Sequence, residues 1–384
     1  MTAQGRIAIV GGGPGGLTLA RLLAVHGLAA TVFERDADAA ARPQCGSLDL
    51  HPESGLRALA VAGLQDGFAR IARYEDQEAR IYDRAGRLLY EEADAADGDR
   101  PEVDRAELRA LLLGALPAGT VAWGRRVTRV EPRPDGRVDV QAEGHPPQAF
   151  DLVVGADGTW SRVRPLVSDV LPAYTGVTLI ELALDELDAR HPELARLVGR
   201  GKIFALGDRK ALIAQRNARS NLRVYVVQHA PESWARELAG VSPAEIKAQL
   251  VRSLAGWSPV LHGFITHSRA GALALPLYAV PVGHRWAHRR GVTLLGDAAH
   301  VMSPFAGEGV NNAMHDATEL ALALAAAPDG AGDRDAAVAR YEAAMFERTV
   351  GSAVASAEGL EAAVADNAAE RMVELMKAHA PAGC

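Results

Sequence analysis

An apolar run, three spaced glycines, a helical pattern, a second apolar run and an acid follow without a gap in RIAIVGGGPGGLTLARLLAVHGLAATVFER, Arg6 to Arg35. Few folds accommodate that order. Arg6–Val10 reads as a buried strand, Gly11, Gly13 and Gly16 fit G-x-G-x-x-G, Leu17–His26 has helical periodicity, and Ala30–Phe33 reads as a second strand. The first glycine makes the tight turn, the second lets backbone approach a pyrophosphate, and the third lets helix pack closely on strand. A pyrophosphate would sit on the helix N-terminus, where free N–H groups and the helix dipole favour anions. Glu34 would accept hydrogen bonds from an adenosine ribose, with Arg35 beside it in the same candidate site. This stretch indicates a dinucleotide without deciding between FAD and NAD(P).

A chain of 384 residues has room for two domains, or for one domain with a large insertion. Its 48% hydrophobic and 23% charged residues are those of an ordinary globular protein. A net charge of −7 and a pI near 6.0 argue against a nucleic-acid surface and leave small molecules as the expected partners. Glycines cut Ile7–Val10 short and no basic region precedes it, so it does not read as a signal peptide. The nearest approach to a membrane span, Leu320–Ala327, is too short, so a cytoplasmic monomer is the expectation. Two cysteines, Cys45 and Cys384, make neither a disulfide framework nor a metal cluster. None of the 12 histidines shows H-E-x-x-H or another ligand spacing, so no metal is expected.

Past the first βαβ unit the pattern gives a helix from about Pro52 to Ala62, a hairpin over Ala79–Tyr90 turning at Asp83–Gly86, and a helix over Arg105–Leu116. Arg105 and Arg109 are four apart on the last of these and share a face. Asp151–Gly155 is a further buried-strand candidate. From about Pro172 to Pro281 short strand-like runs alternate with polar turns and one helix near Pro243–Leu254, the texture of an inserted antiparallel-sheet substrate domain. Val292–Leu295 then returns to the first fold, and long helical patterns cover Val310–Ala327, Asp333 to about Ala357, and Glu361–Ala378. The expected fold is α/β: a Rossmann-like nucleotide-binding domain at 1–75, 101–171 and 282–330, a substrate domain at 76–100 and 172–281, and bridging C-terminal helices at 333–384.

Two further segments bear on the cofactor. GADGTWSRVR, Gly155–Arg164, resembles the DG motif, and GDAAH, Gly296–His300, with Pro304, Gly307 and Gly309, resembles the GD motif. With the N-terminal fingerprint, and in that order, they resemble the single-component FAD-dependent monooxygenases typified by para-hydroxybenzoate hydroxylase. Within that family GSLDLHPESG at Gly46–Gly55, DRAELRALLL at Asp104–Leu113 and LLGDAAHVMSPFAGEGVNNAMHDA at Leu294–Ala317 are similar to the tetracycline-inactivating flavin monooxygenases. Independently of any family, a carboxylate such as Asp297 at a strand's end can take hydrogen bonds from ribityl or ribose hydroxyls while Gly296 permits close approach; the other reading of Asp297 is a helix N-cap. The N–H groups of Gly307–Asn312, among them Gly309, Val310 and Asn311, could face the pyrimidine edge of a flavin and stabilise its reduced, anionic form.

The resemblance implies tightly held FAD, transient NADPH or NADH, and O2, with an oxygen atom delivered to an electron-rich aromatic, polycyclic or polyketide-like substrate, tetracycline-type antibiotics included. It implies that Arg109 contacts the flavin, that Asp157 with Gly158 shapes its site, and that Arg42 lies beside the adenosine, although the acid preceding Arg42 in those relatives is Ala41 here. Pro304 belongs to the flavin set, and Phe305 and Arg223 are candidates for touching substrate. Polar positions of the tetracycline enzymes fall near Ala205, Ala211 and Arg223, where their chemistry is not retained. No residue is assigned as acid, base or nucleophile, because the cofactor carries the difficult chemistry. Other readings are a flavin reductase or dehydrogenase without oxygen insertion and a non-catalytic flavin- or ligand-binding protein. A halogenase lacks support, since Trp257 is followed by Ser258 and Pro259 instead of W-x-W-x-I-P.

Overall fold

A computed structural model describes residues 5–41, 46–75, 77–92, 98–327 and 331–379. The chain divides into two compact units. The first comprises Met1–Ala72, Arg105–Ala173 and Ala279–Ser356; the second comprises Arg73–Asp104, Tyr174–Tyr278 and Ala357–Cys384.

The first unit is organised by a five-stranded parallel sheet in the order Val292–Leu294, Leu152–Gly155, Ile7–Val10, Ala30–Phe33, Val121–Ala122. Its three strands Ile7–Val10, Leu152–Gly155 and Val292–Leu294 are buried at every position, which is why they read as unbroken apolar runs. Pro14 starts the helix Pro14–Val25, and Gly15 brings that helix close to Gly309–Ala326, where a Cβ would stand 3.1 Å from the Cβ of Ala313. A three-stranded antiparallel sheet, Val127–Pro132, Val138–Ala142 and Gln148–Phe150, and the short strand Ser47–Asp49 also belong to this part.

The second unit holds a seven-stranded sheet in the order Leu273–Ala279, Ala173–Leu184, Asn221–His229, Lys210–Asn217, Lys202–Gly207, Ala79–Asp83, Leu88–Glu92. From Ala173–Leu184 to Leu88–Glu92 its pairs are antiparallel except where Lys202–Gly207 runs parallel to Ala79–Asp83. One face carries the apolar core, in which Ile180, Leu182, Val224, Leu212 and Ile203 meet Leu194, Leu250, Leu261 and Phe264 from helices. Besides the expected helix, observed at Pro243–Ser253, the unit contains Pro192–Val198 and Pro259–Thr266, which the sequence reading missed. Each spans about two turns and cannot display a 3.6-residue period; the signal available was a proline at the first helical position.

In the helix Ala331–Ala363, whose residues up to Ser356 belong to the first unit, Glu342 is buried. Its carboxylate accepts from Trp286 Nε1 (3.2 Å) and Thr293 Oγ1 (2.8 Å) and lies 2.7 Å from His288 Nδ1, while His288 Nε2 is 3.1 Å from Asp335. Burial alone would lower the His288 pKa, but the hydrogen bonds and charges of Glu342 and Asp335 outweigh it and hold the value above the ordinary one. The folded chain therefore keeps a proton that the unfolded chain releases near pH ~6.5. The contribution is fully present below that pH and is lost as pH rises through the raised folded value. We expect the thermal midpoint to fall as pH rises above about 6.5, and His288→Gln to flatten that slope. An unchanged slope in the variant would remove His288 from the effect.

Candidate functional site

Val10, Phe33, Gly155 and Leu294 stand in one line across the parallel sheet, paired Val10 with Gly155, Val10 with Phe33, and Gly155 with Leu294. The three glycine-containing motifs and Glu34 therefore all leave the sheet at its carboxyl edge, side by side. In open α/β sheets this edge is where ligands bind.

Two backbones touch at the first motif. Gly11 has φ +110°, and a Cβ there would overlap the carbonyl of Ala156; one on Gly16 would overlap the carbonyl of Gly11. Gly13 is different: a Cβ on it would meet nothing within 4 Å, although it is the N-cap of Pro14–Val25. The turn is closed on its protein side and open at the helix N-terminus. Glu34 is buried and held by two backbone donors, Gly12 N to Oε2 (2.8 Å) and Asp36 N to Oε1 (2.9 Å), leaving lone pairs on both oxygens. Arg35 is exposed, and Arg42 lies outside the described residues, as do Cys45 and Cys384.

At the second motif Asp157 Oδ2 accepts the Arg162 N–H (2.7 Å), whereas buried Oδ1 has no hydrogen-bond partner. Burial pushes this carboxyl up against the opposing pull of Ser161, the Arg162 N–H and Arg164. Arg164, which sequence reasoning did not single out, is buried and donates to the carbonyls of Ala298 (2.7 Å), Thr159 (2.8 Å) and Asp297 (2.8 Å). Its fork thus locks the loop after one strand to the loop after the next. Between these loops Asp297 is solvent-accessible at its side chain yet densely surrounded by protein, as on the floor of a cleft. The surrounding protein raises its pKa while His300, Arg105 and Arg164 oppose the rise.

Gly296 needs its unusual backbone (φ 58°, ψ −144°) to turn into Asp297–His300. Its N–H is fixed by Asp316, which is fully buried and also bonds His300 Nε2 (2.7 Å) and Arg348 (2.5 Å). Burial alone would raise the Asp316 pKa, but His300, Arg348 and the Gly296 N–H hold it below the ordinary value; His300, against its own burial, is held above. His300 is thus half of a buried ion pair. After a short turn at Pro304–Ala306, in which Phe305 is half-buried, Gly307 (φ 70°) leads into Gly309–Ala326. A Cβ at Gly309 would meet nothing within 4 Å, and Val310 beside it is half-buried. Asn311 is committed to protein: it accepts from His51 N (3.0 Å) and Ser54 Oγ (3.2 Å) and donates to the Asp49 carbonyl (3.0 Å). The neighbouring Asn312 Nδ2 is buried without a partner.

Arg109 is buried, donates to the Ala39 carbonyl (2.9 Å), lies 3.5 Å from Asp36 and stacks over Trp123 at 5.4 Å. Arg223 belongs to the other unit, where it pairs with Glu181 at 3.2 Å and, with Arg269 and Gly271, borders a depression of about 430 Å³. Ala211 is fully buried, and Ala205 faces the helix-covered core of its sheet.

The family described as the FAD binding domain matches residues 5–350. The chain is 33% identical to "Monooxygenase penA" of Penicillium thymicola over 84% of this chain and 85% of that one. It is 31% identical to "3-amino-4-hydroxybenzoate 2-monooxygenase" of Streptomyces cremeus over 90% and 84%. In fold it is similar to Klebsiella pneumoniae HpxO complexed with FAD and uric acid (TM-score 0.81, 21% identity, 98% and 93% covered). It is similar also to the tetracycline destructase Tet(51) (TM-score 0.70, 20% identity, 97% and 96% covered).

Asp316→Asn places an amide N–H₂ among three donors and leaves Arg348 unpaired. A loss of about 3–5 kcal/mol is expected in chemical denaturation. A variant of unchanged stability would show that the Gly296 turn does not depend on this acid.

Proposed function

The chain belongs to the FAD-binding-domain family and is an FAD-dependent monooxygenase, and from that premise we propose how its own residues serve the reaction and which substrates it takes. NAD(P)H and O2 are consumed, one oxygen atom entering the substrate and the other leaving as water. Bound FAD supplies the two-electron transfer from NAD(P)H and the activation of O2.

The observation that carries the reading is the alignment of the three motifs at one edge of the parallel sheet. The residues there fit the cofactor. Gly13 leaves the N-terminus of Pro14–Val25 open to a pyrophosphate, and Glu34, fixed by Gly12 and Asp36, keeps lone pairs for ribose hydroxyls. Asp297 is an accessible carboxylate for ribityl hydroxyls, and Asp157 Oδ1 and Asn312 Nδ2 are buried polar atoms awaiting partners. The first N–H groups of Gly309–Ala326 would supply positive potential to the flavin ring if it lies against this helix start. Pro304, Gly307 and Val310 shape that turn, and Asn311 holds it to the Ser47–Asp49 strand. Arg109, held by Asp36, Ala39 and Trp123, adds positive charge near the adenosine side, with Arg35 and Arg42 in the same set.

For the substrate we take the sheet face of the second unit that points away from the core of Leu194, Leu250, Leu261 and Phe264. Glu181, Tyr225, Ile213 and Phe204 form one row across the strands, and Ala183, Arg223, Gln215 and Lys202 form the next. An aromatic row beside a polar row suits a hydroxy- or amino-substituted aromatic or polyketide-like ring, which is also electron-rich enough to accept oxygen. Phe305 is a further candidate for touching substrate. The S. cremeus relative, a 3-amino-4-hydroxybenzoate monooxygenase, makes aminohydroxybenzoates, compared with their uncharged esters, the first probes and tetracycline the next. Among the described residues no helix is long and apolar enough to cross a membrane, and we take the enzyme to act as a cytoplasmic monomer.

The decisive assay follows NADPH and NADH oxidation by the purified yellow protein with each probe, and product mass in parallel. Probe-stimulated oxidation with a product heavier by one oxygen is the expected outcome; stimulation without such a product would instead identify a reductase. Gly13→Ala adds a methyl where the protein has room, so the apoprotein should keep its thermal midpoint while FAD affinity falls at least tenfold (about 1.4 kcal/mol). Retained FAD affinity would displace the pyrophosphate from this turn.

A further inference from the structure

We propose that His191, Glu193 and His267 form a binding site for a divalent transition-metal ion of borderline softness, Zn2+ in the first place, on the helical side of the second unit. One ligand atom from each lies within 4.8 Å of the other two. The imidazoles of His191 and His267 stack at 4.6 Å with 28° between their planes. Among the described residues none of the three side chains makes a hydrogen bond or ion pair that would have to be broken first. Arg190, the nearest cation in sequence, is engaged with Glu186 at 4.0 Å.

The ligands sit on anchored backbone. His191 caps the helix Pro192–Val198, donating its N–H to the Leu187 carbonyl (2.8 Å) and accepting from Ala195 N (2.9 Å). His267 ends the helix Pro259–Thr266, its N–H bonded to the Gly263 carbonyl (3.0 Å). Both helices pack in one core through Leu194, Val198, Leu261 and Phe264. Their approach is close: a Cβ on Gly263 would stand 3.1 Å from Leu194 Cδ2. Metal bonds of roughly 2.0–2.2 Å require ligand atoms about 3.3 Å apart in a tetrahedron, so closure needs movements of at most about 1.5 Å. Glu193 and His267 are exposed and His191 half-buried, so rotation of side chains supplies that without moving backbone. Two imidazoles and one carboxylate select Zn2+, Ni2+ or Cu2+ over Mg2+ or Ca2+ and leave a fourth position for water. The bound ion would staple the two helices together over the sheet they cover.

The test uses tag-free, full-length, FAD-loaded protein stripped of metal, titrated with ZnCl2 in a calorimeter and scanned for thermal midpoint with and without Zn2+. One equivalent should bind, the midpoint should rise, and MgCl2 should do neither. His191→Gln and His267→Gln should each weaken binding by roughly tenfold or more, and the double variant should abolish the midpoint shift while its metal-free midpoint and flavin content match the parent. Absence of Zn2+ binding by the parent, or equal binding by the double variant, overturns the site; the latter would mark adventitious binding elsewhere.

Discussion

The carboxyl edge of the parallel sheet depends on backbone meeting backbone at Gly11, where any Cβ would overlap the Ala156 carbonyl. With that contact made, the strand ends tie to one another in series. Gly11 N donates to Phe33 O (2.9 Å), Ala156 N to Val10 O (2.8 Å) and Leu295 N to Gly155 O (2.9 Å). The loops bearing Glu34, Asp157 and Asp297 consequently start from fixed points. Their spacing is set by the strand separation of a sheet, about 4.8 Å, and not by flexible side chains. A site for an extended dinucleotide demands this, because its pyrophosphate and its ring system must be gripped at separate points at once.

The far side of that edge is held by charge. Asp316 and Glu342 are both buried, and each gathers donors from separated segments. Buried ion pairs contribute little net stability compared with apolar residues of the same size. Their value here is positional: an apolar residue at Asp316 would leave the Gly296 N–H unbonded in a turn whose dihedral angles already lie outside the ordinary regions. Arg164 does the same from the other direction, donating to two carbonyls of the Asp297–His300 turn. The accessible Asp297 carboxylate is thus surrounded by groups that fix its backbone and leave its oxygens unclaimed.

These features were unevenly legible in the sequence. The strands, the glycines and the helix after them were readable because each follows from contacts within a few residues and from patterns with a fixed period. The order of the three motifs indicated the family, and the register shows why order suffices: consecutive motifs sit on strands that become neighbours. Asp316, Arg348 and Glu342 were not legible in their roles, because their partners are distant in sequence and a lone charge in a helical pattern reads as solvated; Arg164 stands inside the second motif, but the Ala298 and Asp297 carbonyls that define its role are 134 and 133 residues away. The same holds for His191 and His267, which no ligand spacing links and which only helix packing brings together. Ala205 and Ala211 make the point at a single residue: they fall on opposite sheet faces by strand parity, which depends on a register the sequence does not display.

The two units also differ in what their residues can afford to change. In the first, function rests on backbone shape, so Gly11 or Gly16 has no substitute. In the second, the candidate substrate face is made of side chains projecting from strands that would pair equally well with others in place. One constraint on ligands is nonetheless already present. Arg223 is largely buried and paired with Glu181 at 3.2 Å, so an anionic substrate reaching it would have to displace a carboxylate already in position. A neutral ring that hydrogen-bonds to the pair without breaking it meets no such cost, and the row of Tyr225, Ile213 and Phe204 beside it offers that ring an apolar surface.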